Sequence, residues 1–507
     1  MTRAWGRRVA AVAAVLLLAA ACTMTRPSRP AFHPQLAWTQ CPSDVEIQFL
    51  SQHRCGWLTV LQDRTKSTGR TIRLLVVQTW PVGVAPLPGI GIGFGANLGD
   101  AYSYGDTAAG ATRLRRTGVS LELRGTGHSQ PSLACPEVDA LDGHNAVRRG
   151  DASVLDAFLS AVKACRDRLM GQGVDPARYD LENVARDTED LRMALGVDRW
   201  AFANSYGTSS RYLFEYLRQF PGRVRAAYLD SPQFPQVDEV TAGVNGTRHA
   251  LDELFRACAA DKACAMAYPD LAALWARAVQ RLQRQPLKGA VIVDAATLLR
   301  ASRFALGGDG PRQQPLNLTQ LPATIAAAAQ GRISGPLATA LADSPLYCPG
   351  YRPLCIGVGD QGFSLGAYLT VLCRDQAPFI DRAALATAVG DDPALRRLVE
   401  EHPYLAACKV WGVAPASPAV ARPVHTEVPL LLLVGQFDSY SSAAAARQVA
   451  ATLPQAWVVQ VPGSTHNALG FSDCPIGIRN AWVQNPTGPP QNTSCLHKLR
   501  VSFATAP

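Results

Sequence analysis

Short apolar runs separated by helical stripes mark the first half of the chain. Thr71 to Trp80 (Thr-Ile-Arg-Leu-Leu-Val-Val-Gln-Thr-Trp) reads as a strand, and 118–123, 200–203 and 225–229 are further short apolar runs. Before the third run, 183–195 sets Val184, Leu191 and Leu195 on one face, and Gly196 ends that helix. After it, 208–219 carries Tyr212, Leu213, Tyr216 and Leu217 at helical spacing and stops at Pro221-Gly222. Strands alternating with helices predict a parallel sheet covered on both faces. From about Val237 to Val424 the rhythm changes. Asp270 is placed to cap a helix that lines up Leu271, Leu274, Trp275, Ala278, Val279 and Leu282. More helical stretches follow at 295–304 and 318–329, and strand signals are sparse. The apolar runs 428–434 and 456–461 then resume the sheet pattern. The reading is α/β: a mostly parallel sheet with helices on both faces, interrupted by a mainly helical insertion.

Length and composition refine this. A chain of 507 residues exceeds one ordinary core. With 48% hydrophobic and 18% charged residues it is globular, not disordered. No basic run is interleaved with aromatics, which argues against nucleic-acid binding. At the N-terminus, Arg3, Arg7 and Arg8 precede the apolar stretch Val9 to Ala21, too short for a good membrane span and suited to an export signal. Leu18-Ala19-Ala20-Ala21-Cys22 resembles a bacterial lipoprotein signal, which would make Cys22 the lipidated first residue; an ordinary small-residue cleavage site is the alternative. Removing the segment lowers the formal charge of +9 to +6. The expected location is outside the cell, lipid-anchored on the outer face of a bacterial membrane or secreted. Of 13 cysteines, Cys22 set aside, twelve remain, an even number for an oxidising compartment. Connectivity is not fixed by sequence. Pairing in order is expected because short loops close easily: Cys41–Cys55, Cys135–Cys165, Cys258–Cys264, Cys348–Cys355, Cys373–Cys408 and Cys474–Cys495. No Cys-x-x-Cys occurs, which argues against zinc. The expected division is 1–21 export signal, 22–40 tether, 41–236 first core portion, 237–425 insertion and 426–507 second core portion.

Candidate chemistry centres on Ser205. The apolar run ending in Ala203-Asn204-Ser205-Tyr206-Gly207 has the form of a nucleophile elbow, a strand turning sharply into a helix so that a hydroxyl stands above the sheet edge. Such a serine needs a base to take its proton. An acid and a histidine follow in the order that α/β-hydrolases use. Asp438 lies just past the run 430–434, and His466 follows the run 456–461. His466 would accept the Ser205 proton, and Asp438 would orient the ring. Asp438 as the cap of a helix from Ser442, Asp230 as a rival acid and His497 as a rival base are the competing assignments. The Tyr206 amide is the first candidate oxyanion donor, with the second from the glycine-rich loop 89–99. That loop loosely fits a dinucleotide form through Gly91, Gly93 and Ala96, but no acidic residue follows at the required distance. No metal, nucleotide or flavin cofactor is implied.

Several stretches resemble the tripeptidyl-aminopeptidase-like α/β-hydrolases, relatives of the proline iminopeptidases. They are Glu122-Leu123-Arg124-Gly125-Thr126-Gly127-His128-Ser129, Ala164-Cys165-Arg166-Asp167-Arg168, Asp187-Thr188-Glu189-Asp190-Leu191-Arg192, Ser205-Tyr206-Gly207-Thr208, and the 435–438 and 463–466 segments. The resemblance implies an exported serine exopeptidase that takes short pieces from free N-termini of peptide substrates through an acyl-enzyme. An esterase or lipase on the same scaffold, and a non-catalytic binding protein, are the alternatives. Departures are Ala203 for the first elbow glycine, Glu122 for an aspartate, and loss of a Gly-Gly-Pro-Gly-Gly loop, for which 93–99 stands in. Phe94 or Gly95 would then carry the second oxyanion amide. Asp375, near Cys373, would hold the substrate ammonium, against the alternative of a solvated surface aspartate. Arg124 would support the loop beneath the site.

Overall fold

The computed structural model describes residues 32–45, 51–94, 110, 112–141, 152–288, 292–307, 316–343, 364–400 and 402–505. Cys22, Gly95 and the Cys348–Cys355 pair lie outside these residues. A nine-stranded sheet runs in the order β1-β2-β3-β5-β4-β6-β7-β10-β11. Its strands are β1 (Gln35–Thr39), β2 (Ser51–Leu61), β3 (Thr71–Pro81), β4 (Leu87–Phe94), β5 (Arg116–Leu121), β6 (Phe202–Tyr206), β7 (Ala227–Asp230), β10 (Leu430–Gly435) and β11 (Ala456–Val461). The strands β4 to β7, β10 and β11 pair in parallel, whereas β1 with β2 and β3 with β5 pair antiparallel. This mostly parallel sheet is an α/β-hydrolase sheet.

Strand β10 shows why its sequence reads as it does. All six residues are buried. Leu430, Leu432 and Val434 join a core on one face, and Leu431 and Leu433 join another on the opposite face. A strand covered twice needs apolar residues at every position rather than at alternate ones. The first core packs the helices Leu181–Ala194 and Ser210–Gln219, and the second packs the helix Asp473–Gln484.

The glycine-rich stretch expected as a loop is partly strand. Gly91 and Gly93 pair with Phe202 and Asn204 inside β4. A Cβ on Gly91 would fall 2.1 Å from the Phe202 ring, so the glycine admits a neighbouring aromatic rather than a cofactor phosphate.

Between β7 and β10 the described residues are mainly helical, with one two-stranded ribbon of β8 (Leu287–Lys288) and β9 (Ile292–Val293). Asp270 caps the helix Leu271–Arg284 by accepting from Ala273 N at 3.0 Å. The helices Glu239–Ala260, Leu271–Arg284, Ala295–Gly307 and Leu321–Ala329 share a core of their own. The helices Leu365–Val371 and Pro403–Trp411 instead pack into the sheet core. Among the described residues, five disulfides join Cys41–Cys55, Cys135–Cys165, Cys258–Cys264, Cys373–Cys408 and Cys474–Cys495. The segment Leu61–Thr71 belongs to a second compact unit, in which Gln62 N donates to Arg70 O and Asp63 accepts from Thr65.

The 122–129 motif builds two polar clusters. Arg124, fully buried, grips Asp187 through Nε and Nη2, both at 2.7 Å, and donates from Nη1 to Arg178 O. Such a bidentate pair satisfies the buried charges and fixes the loop. His128 lies between Glu122 (Nδ1 to Oε1, 2.7 Å) and Asp44 (Nε2 to Oδ2, 3.0 Å). The Glu122 hydrogen bond, helped by both carboxylate charges and opposed by burial, pushes the His128 pKa up to about 9. A raised folded-state value gives stability that is complete below the unfolded pKa of about 6.5 and is lost as pH rises through about 9. The melting temperature of wild type relative to His128→Gln is therefore expected to fall between those pH values. A constant difference across that range would contradict the ion-pair assignment.

Candidate active site

Ser205 is the fourth residue of β6 and pairs in register with Phe94 and Leu229. The chain turns after it at Gly207, whose φ of +55° suits glycine. A short 3-10 turn, Gly207–Ser209, leads into the helix Ser210–Gln219. Ser205 is only 2% exposed, and its Oγ lies 3.0 Å from Ser210 Oγ. The positive-φ residue of the elbow is thus Gly207 rather than the serine. The Tyr206 amide, expected as an oxyanion donor, instead donates to Ser209 Oγ at 2.9 Å. The hydroxyl three residues on satisfies an amide that the turn would otherwise leave unpaired. Phe94, the other expected donor, ends β4 beside Ser205.

Asp438 follows β10 and is fully buried. Its Oδ1 accepts from Tyr440 N (2.8 Å) and Ser441 N (2.9 Å). Both oxygens lie 3.0 Å from His466 Nδ1. A carboxylate only accepts, so Nδ1 carries the proton and Nε2 keeps its lone pair. Nε2 faces the elbow, 3.2 Å from where a Cβ on Gly207 would stand. The ring is flanked by Tyr206 at 4.8 Å and by Tyr440, edge-on, at 5.1 Å between centroids. Asp438 holds its own turn and meets the histidine; the helix that follows, Ala443–Ala450, is capped instead by Ser442, whose hydroxyl accepts from Ala445 N at 3.1 Å, so the capping alternative does not hold.

The rival groups have other occupations. Asp230 Oδ2 accepts from Leu469 N at 3.1 Å, steadying the chain after His466. His497 is exposed in the turn Thr493–Lys498. Asp375 is not solvated. It is 3% exposed, and its Oδ2 accepts from Leu181 N at the start of the helix Leu181–Ala194. Burial, reinforced by the charge of Asp180, raises its pKa well above the carboxylate range. Asp375 lines a cavity of about 270 Å³ with Arg211, Asp238 and Gln376. Ser205 lines another, of about 100 Å³, with Asn204, Asp230 and Arg479. Asp375 thus packs against the start of a helix whose own cap is Asp180, which removes the alternative of a solvated surface aspartate. Ser209, Ser210, Tyr206 and Tyr440 surround the site without having been marked for these contacts; the serine-rich start of the helix after Gly207 was the available signal.

Residues 399–495 match the family described as TAP-like protein. Serine protease Hip1 of Mycobacterium tuberculosis is 27% identical over 275 residues, covering 50% of this chain and 52% of that protein. A tripeptidyl aminopeptidase of Streptomyces lividans is 26% identical over 225 residues, covering 40% and 39%. Carboxylesterase B of Mycobacterium tuberculosis is 27% identical over 260 residues, covering 47% and 48%. The chain thus spans about half the length, or less, of these curated relatives. In the 399–495 match and in these relatives the chain is similar to the tripeptidyl-aminopeptidase-like α/β-hydrolases, and its sheet has the α/β-hydrolase fold.

Proposed function

We propose that Ser205, His466 and Asp438 act together as nucleophile, base and orienter in the cleavage of peptides. The observation that carries this reading is the His466 Nδ1 contact with both oxygens of buried Asp438, with Nε2 turned toward the elbow. Reaction begins when Ser205 Oγ turns from Ser210 toward Nε2. As Oγ attacks the substrate carbonyl, its proton passes to Nε2 and the imidazolium rests against Asp438. The proton then goes to the leaving amine as the carbon–nitrogen bond breaks, which leaves an acyl-serine. Water, deprotonated by the same Nε2, releases the acyl group and restores the Ser205 hydroxyl. The Tyr206 amide serves the oxyanion once the Ser209 hydroxyl swings away; hydrogen bonds at such sites commonly tighten only with substrate.

The substrates proposed are peptides with free N-termini, shortened by a few residues at a time. Relatives named as a tripeptidyl aminopeptidase and a serine protease support this. Export, with Cys22 lipid-anchored or the chain secreted, is supported by the N-terminal pattern and by five cysteine pairs suited to an oxidising compartment. Ester cleavage is the second reading, favoured by the relative named Carboxylesterase B. Purified protein offered free and N-acetylated versions of the same peptides, beside short-chain esters, separates them. Free peptides are expected to turn over and acetylated ones to resist. Equal turnover of both forms would rule out the exopeptidase, and turnover of esters alone would install the second reading.

A further inference from the structure

Two of the three residues that follow Asp438, Ser439 and Tyr440, are held by the helices between β7 and β10. Ser439 Oγ donates to Arg303 O at 2.7 Å. A Cβ on Gly246, in the helix Glu239–Ala260, would fall 2.5 Å from Ser439 O. A Cβ on Gly307, the last residue of the helix Ala295–Gly307, would fall 2.0 Å from Tyr440 Cε2. The Arg303 guanidinium lies 4.7 Å over the Tyr440 ring. From the sheet side, Ser441 Oγ donates to Ser231 O at 2.7 Å. Tyr440 is therefore wedged between a helix end and a cation, and an edge-on contact joins its ring to His466. Its amide also holds the carboxylate that orients the imidazole.

We infer that Tyr440, seated beneath Arg303 against Gly307, is a positioning residue for the His466 imidazole, so that the insertion helices help set the geometry of the acid–base pair. The inference rests on the triad reading above. Tyr440 moves no proton. It meets the ring edge-on, as Tyr206 meets it at a tilt, and ties the Asp438 turn to the helix backbone at Gly307. An aromatic wall with a cation on it resists displacement better than an aliphatic side chain. Loss of the wall lets the imidazole tilt away from the line between Asp438 and Ser205.

The test measures the rate of Ser205 labelling by a fluorophosphonate and the steady-state constants on a cleaved peptide, using the full chain. For Tyr440→Ala, the labelling rate and kcat are expected to fall together by about 100-fold with KM little changed, the signature of misplaced reacting groups. Tyr440→Phe keeps the wall and is expected to restore both. Gly307→Ala pushes a methyl into the ring and is expected to imitate Tyr440→Ala with the tyrosine intact, which also serves if Tyr440→Ala does not fold. Wild-type labelling rates in Tyr440→Ala or Gly307→Ala, or failure of the phenylalanine to rescue, would overturn the positioning role alone. A wild-type protein whose Ser205 does not label takes down the triad reading and this inference with it.

Discussion

Replacing Ser205 by alanine is expected to lower kcat by about 10⁶-fold while the protein still folds. The side chain is small and buried, and the one contact it gives up is the hydroxyl pair with Ser210. Alanine fits the same strand position beside Phe94 and Leu229. The histidine and aspartate remain paired, but no oxygen is left to form the acyl intermediate. Binding of substrate and any oxyanion donors survive, so residual turnover above that in water is expected to persist at a low level. Single-turnover kinetics with a melting curve for each protein decides the matter. A variant that retains more than a small fraction of wild-type kcat, with an unchanged melting curve, would transfer the nucleophile's role elsewhere.

Asp438→Asn is expected to cost about 10⁴-fold in kcat, and the geometry says why. Oδ1 accepts two backbone amides, from Tyr440 and Ser441, and those demand an oxygen. An asparagine must therefore keep its oxygen there and present its NH₂ to His466 Nδ1. Nδ1 then has to accept, and the imidazole proton moves to Nε2, the atom that should take the serine proton. The ring keeps its place in the wrong tautomer. KM should change little because nothing that touches substrate has been altered. A crystal structure of the variant with unmoved ring and unmoved turn, together with the kinetic loss, would establish the tautomer explanation; kcat within about tenfold of wild type would remove Asp438 from the mechanism.

Much of this arrangement could be read from the chain. The run 430–434 gave strand β10 and the 456–461 run gave β11, because both are apolar over a full strand length and end at once in polar turns. The order serine, aspartate, histidine was legible, with Ser205 near the end of β6 and Asp438 and His466 just past β10 and β11. What escaped has a physical reason in each case. Strand β2 begins Ser-Gln-His-Arg, polar and mostly exposed residues without apolar alternation, so its first half carries no strand signal. Gly91 looked like loop material because a glycine required by a neighbour's ring is indistinguishable, in sequence, from one required by a turn. Asp375 lies near Cys373 in sequence, yet only three dimensions reveal that its buried carboxyl accepts from Leu181 N at a helix start. The Tyr440 wedge depends on residues more than a hundred positions apart, and nothing local announces it.

The cysteine bridges span only 6 to 35 positions along the chain. Closing a ring costs more entropy as the ring grows, so among scrambled alternatives these near partners are the ones a fully reduced polypeptide meets first. Oxidative renaturation should consequently favour the native set early, each hoop tightening within its own neighbourhood before distant regions have met. The same economy means that a reductant would slacken individual districts of the molecule while leaving the order of the sheet to hydrophobic packing.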